Sequence, residues 1–153
     1  MFRRRKTPSS KLYDQDTFYR AFLHDIEKTK KQLIIESPFI MSKRVRLLLP
    51  VFRDLRKHGV QIIINTRNPE EHHGIYQEQA AKAVALFHTL DIAVLYTAGH
   101  HRKLAIIDSK VVWEGSLNIL SFHDSCEIMR RISSDKEARA LISFIKLNEY
   151  LGA

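Results

Sequence analysis

Cysteine is nearly absent from this chain of 153 residues, in which Cys126 is the only one. A single cysteine cannot form an intrachain disulfide, and it excludes a structural zinc site built from several thiolates. Long apolar runs are missing as well, so no segment predicts a membrane span. The first ten residues, MFRRRKTPSS, have a basic start but lack the apolar stretch of a secretory signal. We therefore expect a cytoplasmic protein without stable membrane association.

Positive charge, by contrast, is abundant. The chain has 25 Lys and Arg residues against 17 Asp and Glu residues, which gives a formal net charge of +8. This excess favours a polyanionic partner such as nucleic acid or an acidic membrane surface. The alternative explanation is that the charge serves only solubility. The length and the 44% hydrophobic content are typical of one globular domain with its own core. We expect a basic flexible arm at residues 1–12 and a single domain at residues 13–153.

Helical and strand patterns alternate along the chain and predict an α/β fold with crossover connections. Phe18, Phe22 and Ile26 recur at helical spacing, and QLIIESPFI reads as a buried strand stopped by Pro38. The pattern continues with a helix at 43–58, a strand at 60–68, a helix at 75–90, a strand at 92–97, a hairpin at 103–115 and a closing helix at 135–151.

The hairpin lies in the segment HHRKLAIIDSKVVWEGSLN, residues 100–118, because KLAII and VVWEG flank the turn-forming DSK. If the turn has two residues, His101 and Lys103 share a face with Ser116 and Asn118, and a three-residue turn would separate them. The opposite face would then carry the apolar side chains Leu104, Ile106, Val111 and Trp113.

The chemistry of this polar patch suits a phosphate group. An ammonium and an amide donate hydrogen bonds to non-bridging phosphate oxygens, and a histidine can attack phosphorus or protonate a leaving oxygen. No cluster of carboxylates suited to Mg²⁺ accompanies the patch, which argues against metal-dependent phosphoryl transfer. His72, His73 and His100 also lack the neighbouring ligands of a zinc site. We expect no metal and no cofactor.

Six residues at fixed spacing now identify a family resemblance. The chain matches the signature H-x-K-x₄-D-x₆-G-S-x-N at every fixed position, with His101, Lys103, Asp108, Gly115, Ser116 and Asn118, and it therefore resembles the phospholipase D superfamily. The resemblance implies a mixed β-sheet sandwiched between helices. The other seven histidines lack a lysine two residues further on, so the chain has one copy of the motif. By resemblance to the single-motif bacterial nucleases, this implies a homodimer whose two His101 side chains meet across a twofold axis.

The resemblance also implies a mechanism for this shared site. One His101 attacks the phosphodiester to give a phosphohistidine, while the other protonates the leaving oxygen and then activates water. Lys103 and Asn118 hold the phosphate oxygens, with Gly115 also placed among the substrate-binding residues. Ser116 orients the histidine or the phosphate.

Two carboxylates are candidates for holding the second ring nitrogen of His101. Glu127, at the start of a predicted strand, is the first, and Glu114 is its rival because it shares the predicted hairpin face. Asp108 is expected to be structural, bonding to local backbone within its turn.

The motif leaves the substrate open, since the superfamily also contains lipid hydrolases and inactive relatives. The basic composition favours nucleic acid, and the resemblance to the single-motif bacterial nucleases implies an endonuclease. As the partner we expect DNA rather than RNA. The alternatives are a non-catalytic nucleic-acid-binding module of a larger helicase or restriction system, and a lipid phosphodiesterase, which should show an apolar lip or an amphipathic membrane-facing helix.

Overall fold

A computed structural model describes residues 9–147. The strands are β1 (Ser9–Asp14), β2 (Gln32–Glu36), β3 (Gln61–Thr66), β4 (Ala93–Tyr96), β5 (Leu104–Ile107), β6 (Val111–Gly115) and β7 (Ile128–Ser133). The α-helices are α1 (Phe18–Glu27), α2 (Ser42–Lys57), α3 (Gly74–Thr89) and α4 (Asp135–Phe144), and a short 3₁₀ helix spans Pro69–Glu71.

The strands form one mixed sheet in the order β1-β7-β6-β5-β2-β3-β4. β2, β3 and β4 are parallel, whereas β5, β6, β7 and β1 pair antiparallel with their neighbours. Helices α1, α2 and α3 pack on one face through the larger apolar core, and α4 covers the other face through a smaller one. The predicted α/β fold, a mixed sheet between helices, is confirmed.

The helices follow from the apolar periodicity. The face of α1 that carries Phe18, Phe22 and Ile26 is fully buried, as its spacing predicted. α4 begins after Ser134, whose hydroxyl accepts a hydrogen bond from the backbone N–H of Glu137 at 3.2 Å. It ends at Phe144, earlier than predicted, and the last part of the predicted helix lies outside the described residues. Among residues 9–147, no helix combines the length and the apolar character needed to cross a bilayer.

The predicted arm at residues 1–12 is wrong for residues 9–12. These residues belong to β1, which pairs along its whole length with β7. The edge of β7 that faces away from β6 carries backbone N–H and C=O groups that need hydrogen-bond partners, and β1 supplies these partners. Tyr13, at the end of the same strand, packs its ring 4.9 Å from that of Trp113 and so ties β1 to the core. Residues 1–8 lie outside the described part of the chain.

The turn between β5 and β6 has three residues, 108–110, because Ile107 pairs with Val111. The condition of a two-residue turn is therefore not met. Because the longer turn changes the register, Trp113 lies on the opposite face from Leu104 and Ile106. The carboxylate of Asp108 explains the geometry. It accepts hydrogen bonds at 2.7–3.0 Å from three backbone N–H groups at the start of β2, those of Lys30 and Lys31 in the preceding loop and of Gln32 in the strand. Asp108 thus bonds to backbone that is distant in sequence, rather than to the local backbone that was predicted.

Candidate active site

The polar residues of the motif converge although the turn is longer than assumed. Lys103 lies beside Gly115 across the hairpin, where the N–H of Gly115 donates to the Lys103 carbonyl at 3.3 Å. Ser116 and Asn118 follow the end of β6, where the chain leaves the sheet, so strand parity no longer fixes their direction. The exposed His101 receives hydrogen bonds from Lys103 Nζ at its ring nitrogen Nδ1, at 3.1 Å, and at its carbonyl, at 2.9 Å.

Glu127 connects the two halves of this site. Ser116 Oγ donates a hydrogen bond to its carboxylate, and Ser125 Oγ donates to the other carboxylate oxygen at 2.8 Å. Burial lowers the pKa of the Lys103 ammonium, while the nearby carboxylate of Glu127 raises it and Arg67 lowers it. Lys103 therefore lies within electrostatic reach of Glu127. The structure forms two hydrogen-bonded pairs, His101 with Lys103 and Ser116 with Glu127, and the charge interaction between Lys103 and Glu127 links the two pairs. Asn118 lines a small pocket together with Glu127.

Glu114 lies elsewhere. It pairs with Leu104 on β5 and with Arg130 on β7, and its side chain follows the parity of Leu104 rather than that of Lys103. The expectation that Glu114 shares the face of His101 is wrong, because the three-residue turn changes the register by one residue. Of the two candidate carboxylates, Glu127 is the one beside the polar group.

An ion pair behind the site, in which the carboxylate is buried and the guanidinium is partly exposed, was not identified from the sequence. Glu36, at the end of β2, is fully buried and accepts two hydrogen bonds from the guanidinium of Arg102, at 2.9 and 3.1 Å. The Nε2 atom of His100 lies 3.1 Å from the same carboxylate. Because side chains alternate along an extended segment, Arg102 points away from His101 and Lys103 and anchors the backbone between them. The sequence signal that could have identified this pair is Glu36, a charged residue at the end of a strand with an apolar middle.

This cluster holds one formal charge of each sign and one neutral ring. Burial raises the pKa of Glu36, against the effect of the Arg102 guanidinium. Burial, together with the neighbouring cations Arg102, Arg67 and Lys103, lowers the pKa of His100 to about 4. His100 is therefore neutral at pH 7, and Glu36 is balanced by Arg102. Such a pair positions the chain and is not free for proton transfer.

The part of the chain that the structure describes places no set of metal ligands beside these residues. Among residues 9–147, no group of three or more His, Cys, Asp or Glu side chains could hold a metal ion. His72 is buried with its Nε2 atom 3.2 Å from the carbonyl of Pro38, and His100 belongs to the Glu36 cluster.

Comparisons with known proteins identify the family and the fold of this chain. The family model described as "Cardiolipin synthase, PLD-like domain" matches residues 22–146. Nuc from Salmonella typhimurium, a phospholipase D family member, has a similar structure with 18% identity and a TM-score of 0.72, covering 90% of this chain and 91% of its own. NucT from Helicobacter pylori is similar at 16% identity and a TM-score of 0.65, covering 92% and 94%.

A third similar structure is an archaeal chromatin protein, TrmBL2, described as showing a novel mode of DNA binding. The match has 11% identity and a TM-score of 0.63, and it covers 97% of this chain but 54% of TrmBL2. No curated protein sequence matches the chain. At these identities the structural matches establish the fold.

Proposed function

Because the chain belongs to the family of PLD-like domains, whose model covers residues 22–146, we propose that it is a metal-independent phosphodiesterase that hydrolyses nucleic acid through His101. The observation that carries this proposal is the connected polar group at the end of the β5–β6 hairpin. It combines an exposed imidazole, an adjacent ammonium and a hydroxyl bound to a carboxylate. These groups provide a nucleophile, a charge for the phosphate oxygens and a means of orienting the ring.

In the proposed first step, His101 Nε2 attacks phosphorus and the bond between phosphorus and the leaving oxygen breaks. The His101 of a second copy donates its proton to that oxygen. This leaves a phosphohistidine. In the second step the same distal histidine takes a proton from water, whose oxygen attacks phosphorus and releases the first ring. The number of protons balances over the two steps, so no external acid or base is required.

Lys103 has a further task in this scheme. In the free chain its ammonium donates to Nδ1 of His101, which leaves the proton of the neutral ring on Nε2, the atom that must attack. A bound phosphate attracts the ammonium toward its own oxygens and vacates Nδ1. The ring can then carry its proton on Nδ1, facing a carboxylate for which Glu127 is the candidate, and present the lone pair of Nε2.

A homodimer is part of the proposal, because the chain supplies one copy of the motif and the scheme uses two histidines. The exposure of His101 leaves room for a second copy. Asn118 gives further support, since its Oδ1 atom is buried and has no hydrogen-bond partner among the described residues. A polar atom of this kind is expected where a site is completed by another molecule.

Nucleic acid is the proposed substrate, with DNA favoured over RNA. The net charge of +8 and the likeness to Nuc and NucT support it. A lipid phosphodiester is the second candidate, favoured by the description of the matching family. The fold shared with a DNA-binding chromatin protein keeps a non-catalytic binding module as the third.

Metal removal tests the proposal directly. We expect the protein to cleave end-labelled DNA or RNA, single- or double-stranded, at an undiminished rate in excess EDTA, because its own side chains supply the nucleophile and the acid. Release of headgroups from vesicles containing phosphatidylglycerol and cardiolipin is measured in parallel. Binding without cleavage, or hydrolysis of lipid alone, would contradict the nuclease assignment, and a requirement for added metal would contradict the proposed metal-independent mechanism.

A matched pair of variants tests the carboxylate. Glu127→Gln should lower kcat on the order of 10²-fold with little change in KM, because the amide keeps the hydrogen bonds with both serines but cannot stabilise the charged ring. Glu114→Gln, which changes the same group on the opposite face, should leave both quantities unchanged. Equal losses in the two variants, or a loss in Glu114→Gln alone, would show that Glu127 does not orient His101.

A further inference from the structure

Arg44, in the first turn of α2, is a buried cation with little to balance it. The residue is 8% exposed, and its guanidinium carbon lies 3.1 Å above the ring of Tyr19. Its Nε atom donates to the carbonyl of Ser121 at 3.5 Å, and no carboxylate forms an ion pair with it among residues 9–147. Burial accordingly lowers the pKa of this arginine. A buried guanidinium without an anion is costly, and a bound anion would remove the cost.

Phe122 places an exposed aromatic ring beside this cation. It lies in the loop between Asn118 and Glu127 and is 41% exposed. Lys43 Nζ lies 3.9 Å from the centre of its ring, and the guanidinium carbon of Arg44 lies 5.4 Å from it. A large aromatic ring flanked by two cations is a surface that stacks a base and attracts the phosphates on either side.

The two residues also adjoin the proposed cleavage site. Arg44 and Phe122 line the same small pocket as Asn118 and Glu127, with Tyr19 at its side. The hydroxyl of Tyr19 donates to the carbonyl of Ile119 at 2.6 Å and so fixes the start of the loop that carries Phe122. A strand whose scissile phosphate lies at His101 would therefore place a neighbouring nucleotide at this pocket.

We propose that Arg44 and Phe122 form a subsite for the nucleotide next to the scissile phosphate of a single-stranded polynucleotide, an inference that rests on the proposed function. Arg44 binds the neighbouring phosphate, and Phe122 stacks the base in the position that Lys43 now occupies. The Lys43 side chain then turns to the sugar-phosphate backbone of the bound strand. A single strand fits because a base within a duplex is already stacked on both faces, whereas an unpaired base is free to lie against an amino-acid ring.

Two oligonucleotides of equal charge, one with bases and one without, distinguish the contribution of base stacking from that of phosphate binding. The probes are a fluorescein-labelled thymidine 12-mer and an abasic 12-mer, with a uridine 12-mer as the RNA arm, bound by protein carrying His101→Asn so that no turnover occurs. Adding Phe122→Leu should weaken binding of the base-bearing strands about tenfold and leave the abasic strand unchanged. Phe122→Trp should restore the affinity. Phe144→Leu, at a ring that is 75% exposed on α4, should change neither.

Substitution of the two cations should have the complementary effect on binding. Arg44→Gln and Lys43→Gln should each weaken binding of base-bearing and abasic strands alike, and should reduce the slope of log affinity against log salt by about one. Lys57→Gln, at the other end of α2, is the matched control and should leave the slope unchanged. Thermal unfolding checks that Arg44→Gln is folded, and the exposed Lys43 gives an independent reading if it is not.

Equal effects of Phe122→Leu on base-bearing and abasic strands, or no effect on either, would overturn the subsite, as would failure to bind any strand. The hydrolysis assay keeps this failure distinct from failure of the proposed function. If the unmodified protein cleaves single strands but Phe122→Leu binds like the Phe144→Leu control, only the subsite is refuted. If binding depends on the base but no strand is cleaved, Phe122 is shown to bind a base, while the catalytic proposal and the position of the subsite next to a scissile phosphate both fail.

Discussion

Replacing His101 with asparagine is expected to lower phosphodiester hydrolysis by about 10³-fold or more. The variant removes the nucleophile and, in a symmetric dimer, the general acid as well. The fold should not suffer. His101 is exposed, and within the described residues its ring has one hydrogen bond, the one from Lys103 Nζ. The rate in excess EDTA and the thermal midpoint are measured together, and His88→Asn, at an exposed histidine on α3, is the matched control.

Two observations would contradict this account of His101. One is substantial residual cleavage by folded His101→Asn protein. The other is failure to trap, by rapid denaturation at high pH, a labelled phosphoprotein that is stable to base and labile to acid. His88→Asn should behave as the unmodified protein in both experiments.

Mixing the variant with unmodified protein tests the shared site. After random exchange of subunits at equal amounts, about a quarter of the dimers would contain two intact histidines. If both are needed, the activity per amount of total protein should be about a quarter of that of the unmodified protein, whereas independent subunits would give about half. A monomer that remains active at nanomolar dilution would likewise refute the dimeric site.

Gly115→Ala is expected to cost about 3 kcal/mol of the free energy of unfolding. A Cβ atom at this position would overlap the backbone carbonyl oxygen of Ile128 and would lie 2.9 Å from the Cα of Met129. Both contacts involve the backbone of β7, so the two strands must separate to make room. Sequence reasoning placed this glycine among the substrate-binding residues, whereas its contacts give it a role in strand packing.

Gly59→Ala is the matched control, and urea denaturation is the measurement. Gly59 follows α2 with φ of +78°, and a Cβ atom there meets nothing within 4 Å, so the substitution carries only the strain of the left-handed backbone. We expect a loss of about 1 kcal/mol. If Gly115→Ala is no more destabilising than Gly59→Ala, the close approach of β6 and β7 does not explain why glycine is needed.

The parts of this fold that depend on local periodicity could be predicted from the sequence. The buried face of α1 follows from apolar residues at helical spacing, and the parallel pairing of β2 with β3 follows from their continuous apolar runs. The turn after β5 could not be read in the same way. DSK permits two or three loop residues, and the choice depends on Asp108 meeting backbone amides 76–78 residues away.

The same distinction between local sequence pattern and tertiary packing applies to the candidate site. The motif spacing identified the residue types, which lie within one hairpin and the loop that follows it, but it predicted their meeting only for a two-residue turn, which the structure does not have. The Glu36–Arg102 pair spans 66 residues, and Arg44 and Phe122 come together only because α2 packs beside the loop after β6. Contacts of this kind depend on tertiary packing, which the local pattern does not contain.

The four residues before β5 serve two purposes on alternate positions. His100 and Arg102 face the buried Glu36, while His101 and Lys103 face the polar group. Substitutions at one set can therefore vary reactivity without loosening the anchor, and substitutions at the other can vary the anchor without touching the reactive groups. Insertion or deletion of one residue would exchange the two sets, burying the imidazole and exposing its support. In this segment we therefore expect a change of length by one residue to be far more damaging than a point substitution.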